Sequence, residues 1–219
     1  MNCNRYVGTV QTEWLEDGRR MKLLQTLQYI DPACNVWEAT KESIVDGASI
    51  PKFAWSIIGG PFEGKYRNAS VIHDVACDQK TKPWEAVHEV FYNAMIASGV
   101  SIVTAKIMYA AVFHFGPRWP QTVTAVVRNR EVNFDIASDS EDAPRRASRQ
   151  TSDSGWIRDV QDSDGGASQP DESLVTVTID PPPPSIAPND FEQLRRAIEQ
   201  GGPDAAESMT LEEIRSFQP

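Results

Sequence analysis

Apolar and polar residues along this chain change their spacing twice. From Tyr6 to Val45 they alternate at short range, as strands do. Tyr6-Val-Gly-Thr-Val-Gln-Thr-Glu-Trp-Leu15 is rich in β-branched and aromatic residues and ends at Glu16-Asp-Gly18, a hairpin signal. Arg20 to Ile30 follows, with one slip in its alternation at Leu23-Leu24 that leaves a bulge or a helical turn open. Asp31-Pro-Ala33 turns the chain, and Val36 to Val45 reads as a third strand. The simplest product is a small antiparallel sheet.

Beyond Val45 the spacing becomes helical. Asp46-Gly47 breaks the strand, because Asp46 can bond backbone N–H groups two residues on and Gly47 permits positive φ. Ser49 is placed as an N-cap, with Pro51 in the first turn of a short helix, Pro51 to Ile58, that Gly59-Gly-Pro61 ends. After a loop to Arg67, Asn68 is placed to cap a helix running to Asp78. Trp84, Val87, His88, Phe91 and Met95 then recur at helical spacing, which aims His88 at the core. Ser101 caps a third helix, Ile102 to Phe115, which is apolar nearly all round and therefore central. Gly116-Pro117 ends it, and Thr122 to Val127 closes the domain as a strand or a helical turn. Asn93 to Phe115 is apolar enough to raise the question of a membrane span. Gly99, Ser101, Thr104 and Lys106 divide it into pieces too short to cross a bilayer, and a buried helix is the better reading.

From about residue 136 the periodicity fades. Ala137 to Ser173 is Ser, Asp, Arg, Gly and Gln with few apolar residues, the composition of a disordered segment. Nine of the 15 prolines lie beyond 136, four of them consecutive at Pro181 to Pro184, a stiff spacer. Leu174-Val-Thr-Val-Thr-Ile179 alternates like a strand and can add to a sheet edge. Asn189 to Gln200 and Thr210 to Phe217 read as short helices, the second opened by a Thr210/Glu213 capping box. The expected architecture is α+β: a small antiparallel sheet packed with three or four helices, followed by a long disordered acidic tail. The expected boundaries are 1–135 for the globular domain, 136–188 for the linker and 189–219 for a helical C-terminal element.

Charge sharpens that division. Residues 1–135 hold 14 basic and 14 acidic residues, whereas residues 136–219 hold 7 and 17, so the whole net charge of -10 sits in the tail. That argues against nucleic acid as a partner and leaves two roles open for the tail, binding a protein partner or folding back onto the domain. The three cysteines, Cys3, Cys34 and Cys77, show no C-x-x-C spacing, so neither a disulfide framework nor a structural zinc site is expected. A reducing compartment follows, and with it a cytoplasmic or virion-associated location. No signal peptide or membrane helix is expected.

Candidate chemistry concentrates at His73-Asp74. Adjacent residues on a helix point about 100° apart, so one can meet a ligand while the other meets scaffold or metal. His73 suits general-base work, and Asp74 can hold a cation or orient a neighbour. Asp46 from the turn, His88 from the facing helix and Asp78 one turn on can complete the site. The bland alternatives are a turn-forming Asp46 and structural histidines. His114 fits the end of its helix, where its charge meets the dipole favourably. Cys77 lies one turn after His73, but nothing nearby points to a lowered thiol pKa.

Four blocks in order carry a resemblance: Val45-Asp-Gly-Ala-Ser-Ile-Pro51, Ala69-Ser-Val-Ile-His-Asp74, Trp84 to Met95 with Gly99-Val100, and Met108-Tyr109 with Phe115-Gly116. The stretch from about residue 5 to 120 resembles domain-of-unknown-function family 1353, whose members occur in phages, prophages and bacteria. The resemblance implies the domain and no activity. Many members carry Asp where this chain has His88. The Ala-x-x-His-Asp helix is also similar to that of phospholipase A2 proteins. That likeness implies His73 as base, Asp74 as calcium ligand and His88 in place of the orienting acid; a divalent cation at Asp74 and His73 is the corresponding metal expectation. Two functions follow as expectations: a hydrolase of ester or amide bonds using His73, Asp74, His88 and Asp46, or a non-enzymatic virion, assembly or host-interaction module with a structural His-Asp network.

Overall fold

The computed structural model describes residues 3–47, 49, 51, 64–128, 131–134, 172–183, 186–201 and 209–219. The expected helix beyond its first residue, Pro51, and most of the linker, residues 136–171, lie outside these. The chain divides into two compact units, Met1–Pro117 with Pro183–Pro219, and Arg118–Pro182.

In the first unit the antiparallel sheet is present as two. Each strand-like stretch folds as two short strands that go to different sheets. β1 (Arg5–Val7), β4 (Leu27–Ile30) and β5 (Val36–Ala39) pair in the order β1-β4-β5. β2 (Thr12–Trp14), β3 (Met21–Leu23) and β6 (Ile44–Val45) pair in the order β2-β3-β6. The slip at Leu23-Leu24 is where β3 ends. Leu23 and Leu27 are fully buried while Leu24 is exposed. A strand that slips by one residue turns its apolar face to water, so the chain breaks and pairs anew.

Three helices pack in series on these sheets. α1 (Arg67–Gln79) contacts β5, β6 and α2 (Trp84–Ala97), and α2 contacts α3 (Ile102–Phe115). Asn68 does not cap α1. A 3-10 turn, Gly64–Tyr66, feeds directly into the helix, so Asn68 already lies inside it. Ser101 does cap α3, its hydroxyl accepting from Thr104 N–H at 3.1 Å, and every residue from Ala105 to His114 is buried.

The C-terminal helices α4 (Phe191–Gln200) and α5 (Leu211–Arg215) return to α3. Phe191, Leu194, Ile198 and Ile214 are buried there. His114 Nε2 donates to the Ile214 carbonyl at 2.9 Å, and Arg215 donates to Tyr109 Oη at 2.6 Å. The Thr210/Glu213 capping box forms as the sequence predicts. The second unit holds a three-stranded sheet, β8-β7-β9, in which β7 (Gln121–Arg128) is central, flanked by β8 (Glu131–Phe134) and β9 (Glu172–Ile179). The Leu174 to Ile179 stretch thus does join a sheet edge, paired antiparallel from Gln121↔Ile179 to Arg128↔Glu172.

One expectation is overturned. Cys3 and Cys34 form a disulfide, with Cα atoms 5.3 Å apart. Arg5 pairs with Ile30 across β1 and β4, so the residues just beyond both strand ends share one edge of the sheet. Strand pairing brings them together, and sequence spacing carries no sign of it. The disulfide removes the cysteine argument for a reducing compartment. Among the described residues no helix is long and apolar enough to cross a membrane.

Candidate functional site

The turn after β6 and the middle of α1 are joined through one carboxylate. Gly47 sits at φ +69°, a left-handed conformation that costs glycine little, and it lets successive N–H groups of the turn converge. Asp74 Oδ2 accepts from Asp46 N–H at 2.8 Å and Gly47 N–H at 3.0 Å. Its Oδ1 accepts from the Ser49 hydroxyl at 2.7 Å and Ser49 N–H at 3.4 Å. Asp46 therefore enters the site through its backbone, while its side chain pairs with Arg19 at 3.4 Å.

Ser49 resolves the problem of two neighbouring side chains that point apart. Its Oγ donates to Asp74 and lies 3.1 Å from His73 Nδ1. His73 Nε2 meets His88 Nδ1 at 2.9 Å, and His88 Nε2 meets the Pro117 carbonyl at 3.1 Å. Both rings have no solvent exposure, and Asp74 and Ser49 are buried beside them. His73 stacks on Phe91 with ring centroids 4.6 Å apart, and Trp84 meets His88 edge-on at 5.6 Å. Gly116 allows the approach to Pro117. A Cβ there would lie 2.4 Å from Val112 O and 3.2 Å from His88 Cε1.

Burial pushes His73 well below its ordinary range, and the neighbouring His88 adds to the shift. The imidazole is neutral, which suits a base. Burial pushes the Cys77 thiol up, so it is no activated nucleophile, although its Sγ lies 3.6 Å from His73 Nε2. His73, Cys77 and His88 each offer one ligating atom, and these three atoms lie within 4.8 Å of one another. Asp78 is exposed on the outer side of α1, its carboxyl raised by partial burial and then by Asp74 and Asp46. A cleft of about 250 Å³ opens along α1, lined among others by Trp37, Glu38, Ile72, Ala76, Gln79 and Lys82; neither His73 nor Asp74 lines it.

The structure thus brings His73, Asp74 and His88 together as the sequence predicts, with Asp46 contributing its N–H. It adds Ser49 and the Pro117 carbonyl. Ser49 reads as a helix cap in the sequence, and a backbone carbonyl leaves no mark there.

Residues 21–112 match the model of a family described as "Protein of unknown function (DUF1353)", in agreement with the resemblance read from the four blocks. The chain is similar to the uncharacterized protein y4iH of Sinorhizobium fredii (strain NBRC 101917 / NGR234), 44% identical over 91 residues that make up 42% of this chain and 38% of that one. It is also similar to the uncharacterized protein y4jT of the same strain, 47% identical over 98 residues, 45% of this chain and 29% of that one. The chain therefore spans well under half the length of either relative. No solved structure matches it.

Proposed function

We propose that this protein is a non-enzymatic interaction or assembly module, of the phage or prophage type that the resemblance implies, in which His73-Asp74 is a clamp. One observation carries the reading: both oxygens of Asp74 and both ring nitrogens of His73 are aimed at groups inside the protein. A base that acts on substrate needs a nitrogen facing the reactant, and these two face Ser49 and His88. The clamp ties the 46–49 turn to α1 and α1 to α2, and so fixes the surfaces those elements present. The net-negative tail supports a protein partner, since charge-rich tails commonly serve interaction. The test compares stability with turnover. His73→Ala should lower the unfolding free energy by ~1–3 kcal/mol, the cost of orphaned buried partners, while neither wild type nor variant hydrolyses a panel of esters, amides and phospholipids. A wild type that turns over one of these, joined to a His73→Ala variant that is equally stable and inert, would sink the proposal.

A second reading has its own support. The row Asp74 carboxylate, Ser49 hydroxyl, His73 imidazole orients a neutral ring as hydrolytic sites do. It requires His73 to become accessible, and the same panel decides it.

A further inference from the structure

The buried row brings two ring nitrogens and a sulfur together. Four contacts run from Asp74 to Ser49, His73, His88 and the Pro117 carbonyl. A carbonyl only accepts, so His88 Nε2 carries a hydrogen, and its Nδ1 is the nitrogen that can give an electron pair. The Ser49 hydroxyl gives its hydrogen to Asp74, so it accepts from His73 Nδ1–H, and His73 Nε2 can likewise give an electron pair. These two nitrogens lie 2.9 Å apart between fully buried rings. Cys77 Sγ joins them, 3.6 Å from His73 Nε2, and the three atoms lie within 4.8 Å of one another. This is an arrangement that a cation completes.

We propose that His73 Nε2, His88 Nδ1 and Cys77 Sγ bind one borderline-soft divalent metal ion, zinc in the first place. Nitrogen and sulfur donors exclude calcium and magnesium, which take oxygen. In tetrahedral zinc sites, bonds of ~2.0–2.1 Å to nitrogen and ~2.3 Å to sulfur set N···N near ~3.3 Å and N···S near ~3.6 Å. Here His73 Nε2 lies 3.6 Å from Cys77 Sγ and 2.9 Å from His88 Nδ1, and the third pair, Cys77 Sγ and His88 Nδ1, lies within 4.8 Å, so the rings part by a few tenths of an ångström and the sulfur moves toward His88 as the ion enters. The outer contacts fit as well. Metal-bound histidines donate their second N–H to a carbonyl, or to a carboxylate directly or through a hydroxyl. His88 does so to Pro117 and His73 to Ser49, which hands the charge on to Asp74. On binding, Cys77 releases its thiol proton to solvent and forms the metal–sulfur bond, while each ring donates one lone pair. The thiolate and Asp74 together balance the dipositive ion. Three protein ligands leave a fourth position for water or a small donor. The site goes beyond the clamp reading and does not depend on it.

The experiment uses the full chain with the Cys3–Cys34 disulfide kept oxidised, so that Cys77 is the sole thiol. Metal-stripped protein is titrated with Zn2+ against a chromophoric chelator and, separately, with Co2+. The expected result is one ion per chain and a thiolate-to-cobalt charge-transfer absorption that Zn2+ abolishes. Cys77→Ser should lose that absorption, and His88→Gln should weaken zinc binding by about tenfold or more. X-ray absorption on the zinc-loaded wild type needs no variant and should show one sulfur and at least two nitrogen neighbours. Absence of stoichiometric zinc binding, a metal shell without sulfur, or calcium competing equally with zinc overturns the proposal.

Discussion

The stretch from β3 to α3 and the C-terminal helices α4 and α5 share one unit but are held by different means. The first is organised by a buried polar row, Asp74 to Pro117, in which each contact fixes a direction. The second docks on α3 through Phe191, Leu194, Ile198 and Ile214, with ion pairs such as Arg195–Glu192 at its surface. A polar row is intolerant of any missing atom, because what remains is a buried group without its partner. An apolar contact loses stability in proportion to what is removed. Position is specified in the first region, and adhesion supplied in the second.

The largest effect should come from Asp74→Ala. It strips the acceptor from three backbone N–H groups and a hydroxyl at once. We expect a loss of about 3–5 kcal/mol in urea unfolding; a loss under 1 kcal/mol would show that the row is not what fixes the turn. Leu194→Ala should cost about 3 kcal/mol of docking energy. Because this acts on a peripheral element, it should appear as faster amide exchange in α4 and α5 with little change around His73. Uniform loss of protection in both regions would show that the two are held as one. Zinc at about a hundredfold over its dissociation constant should stabilise the wild type by ~2.7 kcal/mol and leave Cys77→Ser unmoved, which a thermal melt with and without Zn2+ would report.

The smallest effect is one of pH. Arg195 and Arg196 hold Glu192 down to about 2, and the Thr210 cap lowers Glu213. A carboxyl lowered in the folded state contributes stability above its unfolded value near ~4.3. That contribution disappears as pH falls through the folded value. Acid should therefore loosen α4 and α5 between about pH 4 and 2, followed by the helical CD signal or by proteolysis of the C-terminal segment. Both carboxyls are exposed, so the change should be slight.

Much of the scaffold was legible. The Trp84 to Met95 stripe, the Ser101 cap and the Thr210/Glu213 box are local signals, decided within a few residues, and the structure reproduces them. The strand region was legible in composition but not in pairing, because one slip at Leu23-Leu24 redistributes three stretches over two sheets. Asn68 failed as a cap because the preceding 3-10 turn was invisible in the pattern. The convergence of His73, Asp74 and His88 could be read from helical spacing and the Asp-Gly turn. The part played by Ser49 could not, since it depends on where the turn lands relative to α1. The Cys3–Cys34 bond likewise reflects the pairing of β1 with β4 over 31 residues.

Gly116 gives the last helix of the core an influence over acid–base chemistry on its neighbour. With no side chain there, the backbone passes near enough to His88 for the Pro117 carbonyl to claim the Nε2 hydrogen. That choice propagates: it decides which nitrogen of His88 is left to face His73, and hence what species the space between them can admit. A single methyl group at position 116 would press on Val112 O and the His88 ring. It would unset the tautomer from outside the row, without altering any residue that takes part in it.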